Sequence, residues 1–345
     1  MGGGEPWLVL DIGGTTLRAG AYHPDGDRLL AVERGPAPSF LACPGLGQAA
    51  LRARLVEELA ALAARLGLAR PPVVSAGFPG PVNAAGWALR APTLWGPAAE
   101  PTPLAERLAA AWPGARVLVA NDMSAAGCCF QRTPDEDFCV VTVSSGIGHK
   151  LFLGGRPVVG RGGRGGELGH LRVDFSEDAP LCDCGGRGHL GALASGRATA
   201  WQAARRCARD PVAFAASSLG RALDGDVSRL DNTCLAAAFR EGDPWAAALV
   251  AAMAAPLGRA LAAVHVLAGV ERFVLMGGFA HALGPGYRSL LAQAAAAGAW
   301  DLGQDWATMI EPGVLGDDAG LLGAGRLARS QLLPAARPLP QGATP

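Results

Sequence analysis

Short runs of apolar residues that end in glycine, asparagine or aspartate recur along the chain. A run of about four to eight apolar residues bounded by turn residues is typical of a buried strand, whereas an apolar period of about 3.6 predicts a helix. The predicted strands lie at 7–10, 73–80, 115–122, 138–143 and 272–278. The predicted helices cover about 51–66, 104–111 and 318–333. Strands that alternate with helices predict an α/β fold with a parallel or mixed sheet.

The polar residues that follow these strands are the first indication of a site. Asp11, the segment 77–80 and the pair Asn121 and Asp122 each come directly after an apolar strand of the N-terminal half. Ligands of open α/β sheets bind at the carboxyl ends of the strands. We therefore expect these three turns to converge on one ligand-binding cleft.

A second α/β unit begins with the strand 138–143, which indicates two domains. We predict a small N-terminal α/β domain, 1–121, which the C-terminal helix at about 318–333 completes. The larger domain would then cover 122–317. The proline-rich segment 334–345 is predicted to be a disordered tail.

The balance of charges limits the classes of partner. The 30 basic and 30 acidic residues give a formal net charge of zero, which provides no electrostatic reason to bind nucleic acid or an anionic membrane. The apolar stretch that begins at Trp245 is interrupted by Pro256 and Arg259, so it predicts a packed helix and not a membrane span. A small molecule is therefore the expected partner.

The cysteines and the N-terminus indicate a compartment. Eight cysteines, with Cys128 and Cys129 adjacent, do not resemble the disulfide framework of a secreted domain. The first ten residues, MGGGEPWLVL, carry no basic targeting region. We expect a cytoplasmic protein whose thiols are mostly reduced.

Two glycine turns, DIGGTT at 11–16 and SSGIG at 144–148, each follow an apolar strand, and LMGG at 275–278 is a third. The chain has neither the P-loop pattern nor a G-x-G-x-x-G fingerprint after its first strand. One interpretation of the first turn is an ordinary hairpin in which Asp11 bonds to the turn backbone. The other is that the turns hold a triphosphate through their N–H groups. In that case Asp11 would act through Mg²⁺, because a bare carboxylate repels phosphate.

The pair Asn121 and Asp122 stands between a strand and a predicted helix. Aspartate is a common N-cap, so one interpretation is that Asp122 caps the helix. The other is that Asp122 accepts the proton of an attacking hydroxyl while Asn121 holds a neighbouring hydroxyl. The pattern leaves both interpretations open.

A short glycine-rich segment carries the pattern of a metal site. The motif GELGH ends at His170, and CDCGGRGH contributes Cys182, Cys184 and His189. Two thiolates and two imidazoles match a closed tetrahedral Zn²⁺ site, and Cys-x-Cys does not easily form a disulfide with itself. No residue beside them suggests an activated water, so we expect a structural zinc.

Lys150 is the only lysine in a chain whose other basic residues are arginine. Drift toward arginine replaces lysine wherever the two are interchangeable, so a surviving lysine indicates a position that needs a compact ammonium. Chance survival is the alternative.

Taken in order, these motifs resemble the ROK family (repressors, open reading frames, kinases) of the actin-like ATPase superfamily. The motifs are DIGGTT, GFPGPV, AND, SSGIG, GGELGH, CDCGGRGH, LMGG and LGDDAGLLGAG, and they span about 7–333. The resemblance implies a two-domain actin-like ATPase (ribonuclease H-like) fold with an active-site cleft between the domains. Only ten residues precede Asp11, so we expect no helix-turn-helix module and no repressor of this family.

The resemblance also implies a role for each motif residue. Asp122 would be the catalytic base, and Asn121, Glu167 and His170 would hydrogen-bond the sugar hydroxyls, with Gly80 beside them. His170 would bind zinc through one ring nitrogen and face the substrate with the other. The implied ATP-binding residues are Asp11, Gly13, Gly14, Thr15, Thr16, Ser145, Gly146, Lys150, Gly277 and Gly278.

Departures from the family pattern bear on the acceptor. The common form is C-x-C-G-x-x-G-C-L-E, and here His189 replaces the third cysteine while Gly191 replaces the glutamate. Histidine is a competent zinc ligand. In glucokinases that glutamate meets hydroxyls near the anomeric end, so its loss predicts weaker glucose binding, by on the order of 1–3 kcal/mol. His149 and Lys150 stand where the second phosphate turn usually has glycines; they would face the γ-phosphate, a differently decorated substrate, or solvent.

The sequence thus predicts a kinase that transfers the γ-phosphoryl group of Mg-ATP to a hydroxyl, the primary one, of a hexose-like sugar, aminosugar or cyclitol. An aminosugar such as kanosamine or a C7 cyclitol of an antibiotic pathway is the expected acceptor. A housekeeping glucokinase is the alternative within this class, and a non-catalytic sugar-sensing regulator is the alternative from another class. A homodimer or homotetramer is expected, as is common in the family.

Overall fold

The computed structural model describes residues 4–96 and 100–333. The described residues form two compact units. The first unit consists of the residues up to 136, the segment 157–165 and the residues from 315 onward. The second unit consists of the segments 137–156 and 166–314. The strands of the described chain are β1 Trp7–Ile12, β2 Thr16–His23, β3 Arg28–Pro36, β4 Val73–Phe78, β5 Arg116–Asn121, β6 Phe138–Val143, β7 Ile147–Leu153, β8 Arg156–Pro157, β9 Phe273–Met276 and β10 Ile310–Pro312. The α-helices of the described chain are α1 Gln48–Arg65, α2 Pro92–Trp95, α3 Leu104–Ala111, α4 Asp122–Gly127, α5 Leu190–Ala194, α6 Thr199–Arg209, α7 Pro211–Ala216, α8 Ser218–Ala222, α9 Asn232–Arg240, α10 Pro244–Ala268, α11 Gly278–Leu283, α12 Pro285–Ala296, α13 Trp306–Met309 and α14 Ala319–Leu332.

The first unit is built on a mixed sheet with the strand order β3-β2-β1-β4-β5. The strands β1, β2 and β3 are joined as antiparallel neighbours, whereas β4 and β5 run parallel to β1. The central strands β1 and β4 are buried along almost their whole length, as expected when helices cover both faces of a sheet. The carboxyl ends of β1, β4 and β5 therefore meet at one edge of the sheet.

The alternation of side chains along β1 assigns the helices of this unit to opposite faces of the sheet. Leu8 and Leu10 belong to the buried cluster that includes α1 and α3. Val9, between them, belongs to the cluster formed with α4 and α14, through Ala125 and Leu321. Successive residues of a strand point to opposite faces, so α1 and α3 cover one face and α4 and α14 cover the other.

The second unit is built on a sheet with the strand order β10-β9-β6-β7-β8. Strand β6 runs parallel to β9 and antiparallel to β7. Helices pack on this sheet around the largest buried apolar cluster of the described chain, and the longest of them is α10. Helix α10 approaches α12 closely at Gly258, where a Cβ would lie 2.7 Å from the Leu291 carbonyl oxygen.

Helix α10 has the length and apolar composition of a membrane span. Its most apolar 18-residue window has a mean hydropathy of 1.7, and half of that window is buried. Leu249, Met253, Leu257 and Leu261 on this helix are all at most 1% exposed and belong to the core of the unit. A core helix meets the same criteria of length and composition, so α10 is best described as the packed helix that the sequence predicted.

The division of the chain differs from the predicted boundary between residues 121 and 122. Helix α4 stays with the first unit because Ala125 is buried against α14, in the same cluster as Ala324. The segment 157–165 also belongs to the first unit, since the Ala84 backbone N–H donates a hydrogen bond to the Arg161 carbonyl oxygen at 3.1 Å. The predicted tail, 334–345, lies outside the described residues.

The contact between α4 and α14 yields a test of the fold. A Cβ on Gly323 would overlap the carbonyl group of Ala125. Glycine to alanine in a helix interior gains up to about 1 kcal/mol in propensity, but overpacking against backbone costs typically about 1–3 kcal/mol. We therefore expect Gly323→Ala to lower the free energy of unfolding by on the order of 1–2 kcal/mol, measured by denaturant titration.

Gly45→Ala is the matched control, because no heavy atom lies within 4 Å of a Cβ at that position. It is expected to change stability by less than about 0.5 kcal/mol. A Gly323→Ala variant more stable than the parent chain would contradict this packing.

Candidate active site

The carboxyl ends of β4 and β5 bring together the predicted acceptor-binding residues Gly80 and Asn121. The Asn121 side-chain Nδ2 donates a hydrogen bond to the Gly80 carbonyl oxygen at 3.1 Å. Its Oδ1 accepts hydrogen bonds from the backbone N–H groups of Met123 at 3.1 Å and Ser124 at 3.3 Å. Asn121 therefore ties the turn after β4 to the first turn of α4.

Asn121, and not Asp122, is the N-cap of α4. The capping interpretation of Asp122 is thus wrong. Asp122 is the first helical residue, and its Oδ1 accepts hydrogen bonds from Asn121 Nδ2 at 2.8 Å and from the Met123 N–H at 2.7 Å. These contacts fix the orientation of the carboxylate.

Asp11 lies on β1, beside the beginning of α14. Its Oδ2 accepts a hydrogen bond from Arg18 Nη1 at 2.9 Å, and Arg18 is the register partner of Asp11 on β2. A Cβ on Gly320 would lie 2.6 Å from Asp11 Cγ, so only glycine leaves room for the carboxylate there. Burial raises the pKa of Asp11, and the charge and hydrogen bond of Arg18 act in the opposite direction. Arg18 therefore offsets part of the cost of burying this carboxylate.

The first glycine turn closes the hairpin between β1 and β2. The Gly13 N–H donates a hydrogen bond to the Thr16 carbonyl oxygen at 3.0 Å, and a Cβ on Gly13 would lie 2.7 Å from that oxygen. The turn itself therefore uses the amide of Gly13.

The second glycine turn, 144–146, connects β6 to β7, and hydrogen bonds from a distant segment of the chain hold it in place. The Ser144 N–H donates to the Gly146 carbonyl oxygen at 2.9 Å. Ser195 Oγ donates to the Ser145 carbonyl oxygen at 2.9 Å, and the Gly196 N–H donates to the Ser144 carbonyl oxygen at 2.8 Å. The carbonyl groups of the turn are thus held by the segment between α5 and α6.

A cavity of about 340 Å³ lies beside this turn. Gly278 lines it, whereas the neighbouring Gly277 has a φ of 103° and packs on β6, where a Cβ would lie 2.7 Å from Thr142 Oγ1. The lining residues of this cavity are Ser144, Ser145, Asn232, Thr233, Ala236, Arg240, Gly278, Phe279 and Ala282.

Sequence reasoning missed the contribution of α9 to this cavity. Asn232 Oδ1 accepts a hydrogen bond from Thr199 Oγ1 at 2.6 Å, which fixes the amide at the beginning of α9. No glycine turn precedes α9, and the helix begins after an ordinary N-cap, Asp231. The sequence therefore carried no signal that separates Asn232 and Thr233 from the residues of any other capped helix.

Lys150 lies on β7, and its side chain is 3% exposed. Its Nζ lies 3.1 Å from Glu167 Oε1 and donates to the Gly166 carbonyl oxygen at 3.2 Å. The neighbouring His149 is buried too, and burial, aided by the charge of Lys150, lowers the pKa of His149 to about 4. His149 is thus neutral at neutral pH, and neither side chain faces solvent, so the solvent-facing alternative for this pair is wrong.

The four predicted zinc ligands form one cluster. Their ligand atoms all lie within 4.8 Å of one another. Cys182 Sγ lies 3.7 Å from His170 Nδ1, and Cys184 Sγ lies 3.2 Å from His189 Nδ1. Bond lengths of about 2.3 Å to sulfur and 2.0–2.1 Å to nitrogen in a tetrahedral site place such pairs about 3.5 Å apart. The residues present therefore fit Zn²⁺.

The backbone around the cluster forms a tight turn of the kind that presents two thiolates to one ion. The Cys182 N–H donates to the Gly186 carbonyl oxygen at 2.7 Å, and the Gly185 N–H donates to the Cys182 carbonyl oxygen at 2.8 Å. Because His170 Nδ1 belongs to the cluster, its Nε2 lies at the opposite edge of the ring. The ring therefore meets the cluster with one nitrogen and directs the other away from it.

A second cavity, of about 260 Å³, connects the turn 144–146 with the metal cluster. Ser145, Gly146, His170, Cys182 and Gly191 are among its lining residues. The second unit therefore brings the predicted phosphate turn, two of the predicted zinc ligands and the glycine that replaces the usual glutamate to a single surface.

A comparison with known families gives one match over most of the chain. The profile described as "ROK family" matches residues 7–331. This range contains every residue predicted above to bind ATP, acceptor or metal.

Two relatives of known activity are similar over most of their length. A C(7)-cyclitol 7-kinase of Streptomyces hygroscopicus subsp. jinggangensis is 39% identical over 332 residues, which cover 94% of this chain and 94% of the relative. A 2-epi-5-epi-valiolone 7-kinase of an Actinoplanes species is 34% identical over 299 residues, which cover 82% of this chain and 80% of the relative.

A solved structure of a ROK protein has a fold similar to that of this chain. The ROK hexokinase from Thermus thermophilus is 30% identical to this chain, with a TM-score of 0.71 over 95% of this chain and 99% of that one. The predicted α/β fold of the actin-like ATPase type is thereby confirmed. The chain therefore belongs to the ROK family, and it is a phosphotransferase with an alcohol acceptor, as the sequence predicted.

Proposed function

We propose that the chain is an ATP-dependent kinase that phosphorylates the primary hydroxyl of a C7 cyclitol, the one on the exocyclic carbon. The observation that carries this proposal is the 39% identity to a C(7)-cyclitol 7-kinase across 94% of both chains. The similarity to a second 7-kinase, which acts on 2-epi-5-epi-valiolone, supports the same class of acceptor and the same carbon.

Gly191 supports an acceptor other than glucose. It lines the cavity of about 260 Å³ together with His170, and a Cβ there would lie 3.1 Å from the Gly169 carbonyl oxygen. Glycine offers no carboxylate to the hydroxyls near an anomeric carbon, and a lost hydrogen bond of that kind costs on the order of 1–3 kcal/mol. A cyclitol has no anomeric carbon, so it does not need that partner.

Asp122 is the proposed general base. The proton of the acceptor hydroxyl moves to the Asp122 carboxylate as the hydroxyl oxygen forms a bond to the γ-phosphorus. The bond from that phosphorus to the β–γ bridging oxygen breaks, and ADP leaves. The hydrogen bonds from Asn121 Nδ2 and the Met123 N–H support this role, because they orient the carboxylate before the reaction.

The hydroxyls of the acceptor would be held by Asn121, Glu167 and His170. Glu167 offers a carboxylate that Lys150 orients, and His170 offers a ring that the Cys/His cluster orients. The Asn121 amide is held by Gly80, Asp122 and the N–H groups at the start of α4, so it would meet an acceptor hydroxyl by exchanging one of these contacts. A site of oriented polar groups discriminates strongly between acceptors that differ in one hydroxyl.

The nucleotide would use both glycine turns. Gly14, Thr15 and Thr16 of the first turn and Ser145 and Gly146 of the second would offer backbone N–H groups and hydroxyls to phosphate oxygens. The nucleoside would occupy the cavity of about 340 Å³ between Ser144 and α9. Mg²⁺, held by the phosphates and by Asp11, would supply neutralisation of the phosphate charge.

Zn²⁺ would be held by His170, Cys182, Cys184 and His189 and would have a structural role. These side chains would fill all four positions of a tetrahedral ion, which is the arrangement of a structural site and not of a catalytic one. The ion would fix the loop that carries Glu167 and His170.

The acceptor is tested by ADP release with Mg-ATP over a panel of valiolone-type cyclitols, kanosamine, N-acetylmannosamine and glucose. We expect kcat/KM for a C7 cyclitol to exceed that for glucose by at least about tenfold, because of the missing partner at Gly191. Glucose as the best acceptor would instead identify a housekeeping glucokinase. Failure with every acceptor would favour a sugar-sensing regulator.

The base is tested by Asp122→Asn, which keeps the size of the side chain and removes its proton affinity. We expect kcat to fall about 10²- to 10⁴-fold, with the KM of the acceptor nearly unchanged. Asp305→Asn, at the exposed N-cap of α13, removes the same charge and should leave kcat within about twofold. Retention of most of the activity by Asp122→Asn would rule out Asp122 as the base.

The metal is tested by Cys184→Ser and elemental analysis. We expect one equivalent of zinc in the parent chain, and the loss of most of it in the variant together with a lower melting temperature. Cys43→Ser, at a free cysteine of the first unit, should keep the zinc. Equal zinc content in Cys184→Ser and the parent chain would contradict the assignment.

A further inference from the structure

Lys150 is a charged residue buried on the strand β7. It is the only lysine of the chain and lies in the middle of β7, a strand whose neighbour β6 is almost entirely apolar. An ammonium that is 3% exposed is costly to bury unless oxygen atoms replace its hydration. The Gly166 carbonyl oxygen at 3.2 Å and Glu167 Oε1 at 3.1 Å supply two such partners.

The loop that carries Glu167 is shaped to receive this ammonium. Gly166 has a φ of 81°, and a Cβ there would lie 2.8 Å from Lys150 Nζ and 2.9 Å from Lys150 Cδ. The backbone of Gly166 therefore closes directly over the lysine side chain. Three residues further along the chain, Gly169 packs on the Ile147 carbonyl group so closely that a Cβ would overlap it. The loop 166–170 is thus pressed against β7 at two points.

The Glu167 carboxylate is held by Lys150 and is at the same time accessible to a ligand. Its side chain is 40% exposed although Oε1 is held by Lys150. A glutamate that is ordered in advance loses less side-chain entropy when a ligand binds than a freely rotating one does. The neutral, buried His149 beside Lys150 adds no second positive charge that would compete for the carboxylate.

We propose that Lys150 is a positioning residue, which orients Glu167 so that the glutamate can accept hydrogen bonds from the hydroxyls of the acceptor. This inference rests on the proposed kinase function and assigns Lys150 to the acceptor side of that reaction. It replaces the contact with ATP phosphates expected from the place of Lys150 in the glycine turn motif. Lysine suits this position because its ammonium is compact, whereas a guanidinium is broader and planar.

The test is a double-mutant cycle on the full-length protein with Lys150→Met, Glu167→Gln and the double variant. Each single change is expected to lower kcat/KM for the best cyclitol by on the order of 10- to 100-fold, mainly through the KM of the acceptor. The KM of ATP should stay within about twofold. The double variant should be no worse than Glu167→Gln alone, because Lys150 acts through Glu167.

Independent effects of Lys150→Met and Glu167→Gln on kcat/KM would overturn the inference. If the two single effects multiply in the double variant, or if Lys150→Met raises the KM of ATP, Lys150 acts on the nucleotide and not through Glu167. Arg156→Met, which removes an exposed charge from β8 of the same sheet, is the control and should leave both KM values unchanged.

The variant Lys150→Arg and the activity of the parent chain separate loss of folding and loss of the kinase reaction from loss of the Lys150–Glu167 contact. Lys150→Arg retains the charge and serves if Lys150→Met does not fold; it should also raise the KM of the acceptor and show no added loss when combined with Glu167→Gln. A parent chain that phosphorylates no acceptor would overturn the proposed function and this inference together. An active parent chain with multiplicative losses would overturn this inference alone.

Discussion

The buried charge of Lys150 is the constraint on which the arrangement of the loop 166–170 depends. An ammonium in a buried strand requires oxygen partners, and the Gly166 carbonyl group and the Glu167 carboxylate provide them. At its other end the same loop is fixed by His170, whose Nδ1 belongs to the Cys/His cluster. Glu167 and His170 are three residues apart between these two attachments. A buried cation and the Cys/His cluster thus determine together where the two side chains lie.

Glycine has two different uses in the chain, although both appear as the same letters in the sequence. At Gly166 and Gly169 it allows the loop to approach β7, because a side chain would meet Lys150 or the Ile147 carbonyl group. At Gly13 it closes a hairpin whose amide is already hydrogen-bonded to Thr16. A glycine motif therefore indicates close backbone approach, but it does not state whether a ligand or the protein itself is the neighbour.

The sequence predicted those features that depend on local pattern. The strand Phe138–Val143 and the helix Leu104–Ala111 have the predicted bounds, since each is a continuous apolar or periodic run. The Cys/His cluster followed from spacing alone. Features that depend on tertiary contacts were not predictable in this way. Helix α4 stays with the first unit because of its packing on α14, and the capping of α4 by Asn121 depends on the direction of one side chain.

The ion pair of Lys150 with Glu167 was likewise not predictable, because Glu167 is distant in sequence and only the folded loop brings the two side chains together. The cavity beside α9 has no motif at all.

The proposed reaction of this ROK chain is transfer of the γ-phosphoryl group of ATP to the exocyclic hydroxyl of a C7 cyclitol. The most direct measurement is a two-dimensional ¹H–³¹P NMR spectrum of the product formed from ATP and a valiolone-type cyclitol. Transfer to the exocyclic hydroxyl gives one new phosphomonoester, whose phosphorus couples to the two protons of the exocyclic methylene group. Coupling to a single ring proton would contradict the proposed position of transfer, and the absence of any new phosphomonoester would contradict the proposed acceptor.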